Sequence, residues 1–188
     1  MDPEFYGCLF KQYNCFIKDY DRDNRIRRIA CGPNVDDYHW TDVLMSIVGD
    51  WHAKAISLHY YTIPSGNFEA KGSSVNFTDD EYYSTIKNAQ YMDTLIEKHG
   101  AIIRRHSDKM KLVVDEWGCW YDVLEGTNPG FLYQQNTMRD AMVAAINLNI
   151  FGAHCDRVFM TNIAQMVNVL QAMILTDGER MLLTPTYH

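Results

Sequence analysis

Cysteine is scarce in this sequence, and its five copies are spaced widely and irregularly. They are odd in number and form neither a C-x-x-C pair nor the Cys/His spacing of a zinc site. We therefore predict reduced thiols in a cytoplasmic protein, and no disulfide framework. Cys119 has no neighbouring base in the sequence, which makes it a poor nucleophile candidate. The histidines also form no ligand cluster by spacing, so no metal or other cofactor is expected.

Positive charge and long apolar runs are also lacking. The 17 Lys and Arg residues are outnumbered by 24 Asp and Glu residues, which gives a net charge of −7. An acidic chain without a basic stripe is a poor nucleic-acid binder. No apolar run approaches the roughly 20 residues of a membrane span, and the first residues lack the basic and apolar regions of a signal peptide. Neither nucleic acid nor a membrane is therefore expected as a partner.

The most informative stretch is residues 111–120, Lys-Leu-Val-Val-Asp-Glu-Trp-Gly-Cys-Trp. The apolar run 112–114 predicts a buried strand, and Asp115 and Glu116 follow it directly. Because side chains alternate along a strand, only one of these two carboxylates can face a pocket. Carboxylates beside indole rings at a strand end suggest a carbohydrate site, because sugar C–H faces stack on aromatic rings. The alternative is a strand end capped by solvated acids.

Helical and strand patterns alternate along the whole chain. The apolar spacing predicts helices over residues 5–20, 38–48, 78–106 and 136–151, the third interrupted or bent near Gly100. Strands are predicted over residues 26–30, 53–61, 112–114 and 157–163, and residues 167–175 are ambiguous between helix and strand. This alternation predicts an α/β fold with a parallel sheet and crossover helices. Four βα units are half of an eight-stranded barrel, so we expect either a fragment of a (β/α)8 barrel or a small open sheet.

Two local patterns refine this prediction. Asp2 followed by Pro3 is typical of a helix start, and Thr78 with Glu81 three residues later predicts a capping box. The sixteen residues 62–77 are rich in Gly, Ser, Asn and Pro and predict a loop. A loop of this length often lines a functional site.

Polar or aromatic side chains accompany three successive predicted strands at their ends. They are His59, Tyr60 and Tyr61 on the first strand, Asp115, Glu116, Trp117 and Trp120 on the second, and Asn162 and Gln165 on the third. In a barrel these strand ends lie side by side on one rim, where a single pocket can form. Each residue also has an ordinary structural interpretation. His59 can be a core histidine, Tyr61 can pack at the rim, and Gln165 can cap a following helix.

Seven motifs in this order and spacing resemble the α-L-arabinofuranosidases of glycoside hydrolase family 51. They cover nearly the whole chain and comprise residues 29–34 (Ile-Ala-Cys-Gly-Pro-Asn), 57–62 (Ser-Leu-His-Tyr-Tyr-Thr), 113–117 (Val-Val-Asp-Glu-Trp), 128–130, 162–168, 171–178 and 184–188. The resemblance implies a (β/α)8 barrel followed by a β-sandwich, with residues 1–188 forming the C-terminal half of the barrel, roughly strands 5 to 8. It also implies a retaining mechanism with two glutamates and no cofactor.

The resemblance assigns a role to each candidate residue. Glu116 matches the nucleophile at the end of the seventh strand. His59 and Tyr61, on the sixth strand, match residues that orient the nucleophile and contact the sugar. Trp120 resembles an aromatic residue of the substrate pocket, and Gln165 resembles a ligand of a sugar hydroxyl.

The sequence departs from the family pattern in one respect. The family's acid/base is the glutamate of an Asn-Glu pair at the end of the fourth strand, and these 188 residues contain no Asn-Glu dipeptide. The resemblance therefore implies that the acid/base lies upstream of Met1 and that the β-sandwich is absent. We expect the 188-residue chain alone to turn over arabinosides poorly.

The sequence-based hypothesis is an enzyme that releases non-reducing terminal α-L-arabinofuranosyl residues from arabinose-containing oligosaccharides. Two alternatives stay open at this point. One is another retaining barrel glycosidase that acts on xylosides or glucans, and the other is an inactive sugar-binding remnant. The resemblance further implies a homo-oligomer for the full-length protein.

Overall fold

The computed structural model describes all residues from Met1 to His188. No helix is long and apolar enough to cross a membrane. In chain order, the elements are α1 (Pro3–Asn14), β1 (Ile29–Ala30), α2 (Tyr38–His52), β2 (Ala55–Thr62), α3 (Asp79–Ala89), α4 (Tyr91–His106), β3 (Lys111–Cys119), a 3₁₀ helix (Pro129–Phe131), α5 (Met138–Ala153), β4 (Val158–Ile163), β5 (Ile174–Asp177) and β6 (Arg180–Leu183).

Strands β1 to β4 form one sheet in the order β1-β2-β3-β4. β1 pairs with β2 in parallel. At the start of β3, the Lys111 N–H donates to the Lys54 carbonyl, and just beyond its end the Trp120 N–H donates to the Thr62 carbonyl. The start of β3 is thus bonded to the start of β2, and the end of β3 to the end of β2, so the two strands are parallel. The hydrogen bonds between β3 and β4 follow the same pattern. The α/β prediction with a parallel sheet and crossover helices is therefore confirmed.

The chain divides into two compact units, and the first comprises Met1–His59, Thr94–Asp115 and His154–Thr161. Helix α1 packs against α2. His99 is buried between the Thr41 hydroxyl, 2.9 Å from Nδ1, and the Val35 carbonyl, 2.8 Å from Nε2. Burial lowers the pKa of His99, so this histidine is a neutral structural residue. The buried apolar residues of this unit include Leu44, Ile56, Leu58, Ile96, Ile103 and Leu112.

The second unit comprises Tyr60–Asp93, Glu116–Ala153 and Asn162–His188. Helix α3 packs against α5, and a buried apolar cluster contains Ala89, Cys119, Tyr121 and Val143. Arg139 is also buried. Its guanidinium lies 4.2 Å from the ring centre of Tyr121, and it donates a hydrogen bond to the Ser73 carbonyl. A cation stacked on an aromatic ring and bonded to a carbonyl retains partners for its charge inside the core.

Both predicted helix starts are confirmed. The Asp2 side chain accepts from the Phe5 N–H with Pro3 at the first turn, and Thr78 and Glu81 form a reciprocal capping box. Several predicted boundaries are wrong. Strand β3 runs from Lys111 to Cys119, so Asp115 and Glu116 lie inside the strand and do not follow it. Helix α1 ends at Asn14, although the pattern continued to residue 20, and β1 contains only Ile29–Ala30 of the predicted strand 26–30.

The helix predicted over residues 78–106, with an interruption or bend near Gly100, is two helices. The break falls at Gln90, between α3 and α4, and Gly100 lies inside α4. Gly100 has a packing role instead. A Cβ there would lie 3.4 Å from the Arg157 side chain, so glycine permits the close approach of that side chain.

The ambiguous stretch 167–175 leads into an antiparallel hairpin that the sequence did not predict. β5 pairs with β6 outside the parallel sheet, from Ile174 opposite Leu183 to Asp177 opposite Arg180. Gly178 in the connecting turn has a φ of +58°, a conformation that glycine adopts readily. An Asp-Gly dipeptide is a typical hairpin signal, and it was present at residues 177–178.

Candidate functional site

A tyrosine–carboxylate pair lies on β2 and β3 in the second unit, with Tyr61 near the end of β2 and Glu116 within β3. The Tyr61 hydroxyl donates to Oε1 of Glu116 over 2.5 Å, and both residues are half-buried. Burial, followed by the hydrogen bond to the carboxylate, raises the pKa of Tyr61 well above its ordinary value. The phenol therefore stays protonated at neutral and alkaline pH. It holds one oxygen of Glu116 in a fixed position.

Trp120 contacts aromatic rings from two segments of the same unit. Its ring packs edge to face against Tyr61, with 4.8 Å between the ring centres. It makes a similar contact with Phe68, at 4.9 Å. Edge-to-face pairs at this spacing are favourable beyond their area of burial. Trp120 is thus linked by direct contact to Tyr61, the residue that binds Glu116.

Two buried glutamines bind the backbone on both sides of Trp120. Gln171 Oε1 accepts from the Cys119 N–H at 2.8 Å. Gln134 Oε1 accepts from the Tyr121 N–H at 2.9 Å, and its Nε2 donates to the Cys119 carbonyl at 3.0 Å. The Trp120 N–H itself donates to a carbonyl at the end of β2. These bonds fix the backbone from which the Trp120 ring projects.

Gly118 permits the close approach of Gln171 to this backbone. Its φ is +150°, and a Cβ on it would lie 3.0 Å from Gln171 Oε1 and 3.2 Å from the Ala164 carbonyl oxygen. Such distances are shorter than ordinary van der Waals contact, so a side chain would displace the glutamine. Gln134 and Gln171 had no predicted role. A single sequence does not distinguish a glutamine that is buried and bonded to the backbone from one that is exposed in a loop.

His59 and Asp115 form a pair in the first unit. His59 Nε2 lies 3.1 Å from Asp115 Oδ1, and both side chains are half-buried. Because a carboxylate only accepts, Nε2 carries the proton of this hydrogen bond. The His59 carbonyl also accepts from the Val35 N–H. The hydrogen bond to Asp115 therefore fixes the orientation of the His59 ring.

Gln165 follows β4 and is exposed. Its backbone carbonyl accepts a hydrogen bond of 3.4 Å from the Met173 N–H. The next regular element is β5 rather than a helix, so the interpretation of Gln165 as a helix cap is wrong. A contact of its side chain with a sugar hydroxyl stays a prediction.

Comparisons with known proteins agree over the whole chain. The family model "Alpha-L-arabinofuranosidase C-terminal domain" matches residues 115–188. An intracellular exo-alpha-L-arabinofuranosidase of Bacteroides ovatus is 46% identical over 190 residues, covering 100% of this chain and 36% of the relative. The crystal structure of a family 51 arabinofuranosidase from Xanthomonas axonopodis pv. citri matches with a TM-score of 0.95 and 50% identity, over 100% of this chain and 38% of that chain. The chain belongs to glycoside hydrolase family 51.

The family 51 segment spans about a third of the length of the curated relatives it matches. The second of these is an intracellular exo-alpha-(1->5)-L-arabinofuranosidase of Acetivibrio thermocellus, 25% identical over 82% of this chain and 32% of the relative. A family 44 xyloglucanase from Paenibacillus polymyxa also matches, with a TM-score of 0.58 and 10% identity over 88% of this chain and 37% of that chain. This last similarity shows the fold alone.

Cys119 is fully buried, and burial raises the pKa of its thiol well above the ordinary value. A buried thiol that resists ionisation is inert as a nucleophile. No group of three or more His, Cys, Asp or Glu side chains is arranged to hold a metal ion.

The first prediction concerns Gln171, whose side chain is fully buried. Gln171→Leu removes the partners of the Cys119 N–H and of the Asp140 carbonyl, which accepts from Gln171 Nε2. We expect the free energy of unfolding to fall by about 1–3 kcal/mol in denaturant titrations. Gln90→Leu, at an exposed glutamine, is the control and should change stability by less than about 0.5 kcal/mol. Equal losses in the two variants would contradict a special role for Gln171.

Proposed function

We propose that this chain carries the nucleophile of a retaining α-L-arabinofuranosidase, and that Glu116 is this nucleophile. The observation that carries the proposal is the Tyr61–Glu116 hydrogen bond beside the Trp120 ring. A retaining glycosidase needs a carboxylate held in position to attack the anomeric carbon and form a covalent glycosyl-enzyme. Tyr61 supplies this orientation, and Trp120 supplies an apolar wall that stacks on the sugar and excludes water.

The remaining candidate residues also have proposed roles. His59, held by Asp115, is a positioning residue that also contacts the sugar, and Asp115 fixes its orientation. Gln165 binds a sugar hydroxyl through its exposed side chain. Both roles rest on the match of these residues to the motifs of family 51.

The mechanism needs a second carboxyl group, about 5–5.5 Å from the nucleophile, that first protonates the leaving oxygen and then activates water. In family 51 this group belongs to an Asn-Glu pair, and residues 1–188 contain no such dipeptide. We propose that it comes from another segment of the full-length protein, a proposal supported by relatives about three times as long as this chain. The 188-residue chain alone should accordingly be a poor catalyst.

The same reasoning applies to the architecture. We propose that residues 1–188 are the C-terminal half of a (β/α)8 barrel, from about strand 5 to strand 8. The four parallel strands in sequential order support this assignment. The hairpin β5–β6 lies outside that sheet, and in this proposal it follows the last barrel strand.

The proposed substrate is an arabinose-containing oligosaccharide, from which the full-length enzyme releases non-reducing terminal arabinofuranosyl units. The names of both curated relatives support this substrate class, and a Thermotoga maritima relative, 26% identical with a TM-score of 0.77, is described as an arabinose complex. Because both curated relatives are named intracellular, we also propose a cytoplasmic location. The proposal of a homo-oligomer for the full-length protein rests on the resemblance to family 51 alone. If the full-length protein acted on xylosides or glucans instead, or bound sugar without turnover, it would not hydrolyse the aryl arabinofuranoside used in the tests below.

The second prediction concerns the nucleophile. In the full-length protein, Glu116→Ala should lower kcat on an aryl arabinofuranoside at least about 10³-fold, because no carboxylate remains to form the glycosyl-enzyme. It should also abolish covalent labelling by a mechanism-based furanosyl inhibitor, followed by mass spectrometry. The matched control is Glu125→Ala, at an exposed loop glutamate, and it should label normally. Persistent labelling of the Glu116→Ala protein would exclude Glu116 as the nucleophile.

The third prediction concerns Tyr61. Tyr61→Phe removes a hydrogen bond to a charged group, worth about 1.5–3 kcal/mol, and should lower kcat/KM by about tenfold to a hundredfold. Because the raised pKa keeps the phenol protonated, the loss should be the same at pH 6 and pH 9. Tyr60→Phe is the control, since the Tyr60 hydroxyl donates to the Asn88 carbonyl instead. A loss that disappears at pH 9 would contradict the proposed donor role.

A further inference from the structure

Phe68 lies in the loop between β2 and α3, next to Trp120, and neither the motifs nor the proposed mechanism gives it a role. We propose that Phe68 is a binding wall for the leaving group, the neutral sugar unit to which the arabinofuranosyl residue is attached. This inference rests on the proposed function, because it assigns Phe68 to the same site.

A chain of contacts leads from the nucleophile to Phe68. Glu116 binds Tyr61, the Tyr61 ring contacts Trp120, and the Trp120 ring contacts Phe68. If the arabinofuranosyl ring occupies the position beside Glu116 and Trp120, the next sugar unit extends along this row. Phe68 is the next aromatic surface in the row, so it is placed to stack on the leaving group.

The loop that carries Phe68 is held by hydrogen bonds along its length. The Asn67 side chain accepts from the Glu69 N–H at 3.0 Å. At the base of the loop, the Gly72 N–H donates to Asp122 Oδ2 and the Asp122 N–H donates to the Gly72 carbonyl, at 3.0 and 2.9 Å. A ring on such a loop loses little conformational freedom on binding, so its stacking energy is retained as affinity.

Lys71 positions Phe68 and is unsuited to bind an anion. Its ammonium donates to the Phe68 carbonyl at 2.9 Å, lies 4.6 Å from the Phe68 ring centre and is 3.9 Å from an Asp122 oxygen. Its side chain is only 16% exposed. With its charge balanced by Asp122, Lys71 offers no preference for an acidic sugar. The expected ligand is therefore a neutral sugar.

The Phe68 side chain itself is 55% exposed although its loop is ordered. An exposed aromatic ring beside a proposed sugar pocket is a suitable surface for the apolar C–H face of a sugar. Because Phe68 is proposed to contact the leaving group and not the anomeric carbon, its contribution should appear in KM. It should be absent for substrates whose leaving group is too small to reach it.

The fourth prediction tests this in the full-length protein with two substrates. The probes are an α-1,5-linked arabinotriose and α-L-arabinofuranosyl fluoride, whose leaving group is a single atom. Phe68→Ala should raise KM for the trisaccharide about threefold to tenfold, the equivalent of one aromatic contact. The values of kcat and KM for the fluoride should stay within about twofold of wild type.

Three further variants serve as controls. Phe131→Ala, at an exposed phenylalanine of the 3₁₀ helix, should leave kcat and KM unchanged for both substrates. Phe68→Trp should keep the trisaccharide KM near wild type, and Phe68→Leu, which keeps an apolar side chain without the ring, should reproduce the loss if the alanine variant folds poorly. Equal losses on both substrates, or no loss on the trisaccharide, would overturn the inference. A wild-type enzyme that does not hydrolyse the fluoride would instead contradict the proposed function.

Discussion

The backbone between Cys119 and Tyr121 is buried where β3 ends, and buried N–H and C=O groups must be hydrogen-bonded. The neighbouring strands no longer satisfy all of these groups, so Gln134 and Gln171 bind three of them. An unpartnered buried group costs about 1–3 kcal/mol, which makes the two glutamines structurally necessary. These hydrogen bonds fix the path of the backbone a few residues after the proposed nucleophile. The orientation of the Trp120 ring depends on this backbone path.

Aromatic packing connects this fixed backbone to the proposed nucleophile. Trp120 projects from the fixed backbone and contacts both Tyr61 and Phe68. Tyr61 in turn holds Glu116, so the carboxylate is oriented by a side chain that is itself packed. Proximity effects in catalysis depend on such immobilised groups, because a displacement of about 1 Å can cost about a hundredfold in rate.

Much of this fold was predictable from the sequence, because it depends on local patterns. The capping box at Thr78 and the buried strand before Asp115 each have a signature a few residues long. The roles of Gln171 and Phe68 were not predictable, because both depend on contacts between residues about fifty positions apart. The break at Gln90 was missed for another reason. Two consecutive helices continue the same apolar periodicity, and Gly100 was the more obvious breaker.

The arrangement around Trp120 also constrains the catalytic group that completes the mechanism. A retaining acid/base must reach the glycosidic oxygen, which joins the arabinofuranosyl ring to the leaving group. If the first sugar lies beside Glu116 and Trp120 and the second stacks on Phe68, this oxygen lies at the junction of the two stacking surfaces. The second carboxyl group must then approach this junction from the side opposite the Trp120 and Phe68 rings, because the rings themselves occupy the other side. In this proposal, the rings of Trp120 and Phe68 both bind the leaving group and limit the direction from which it can be protonated.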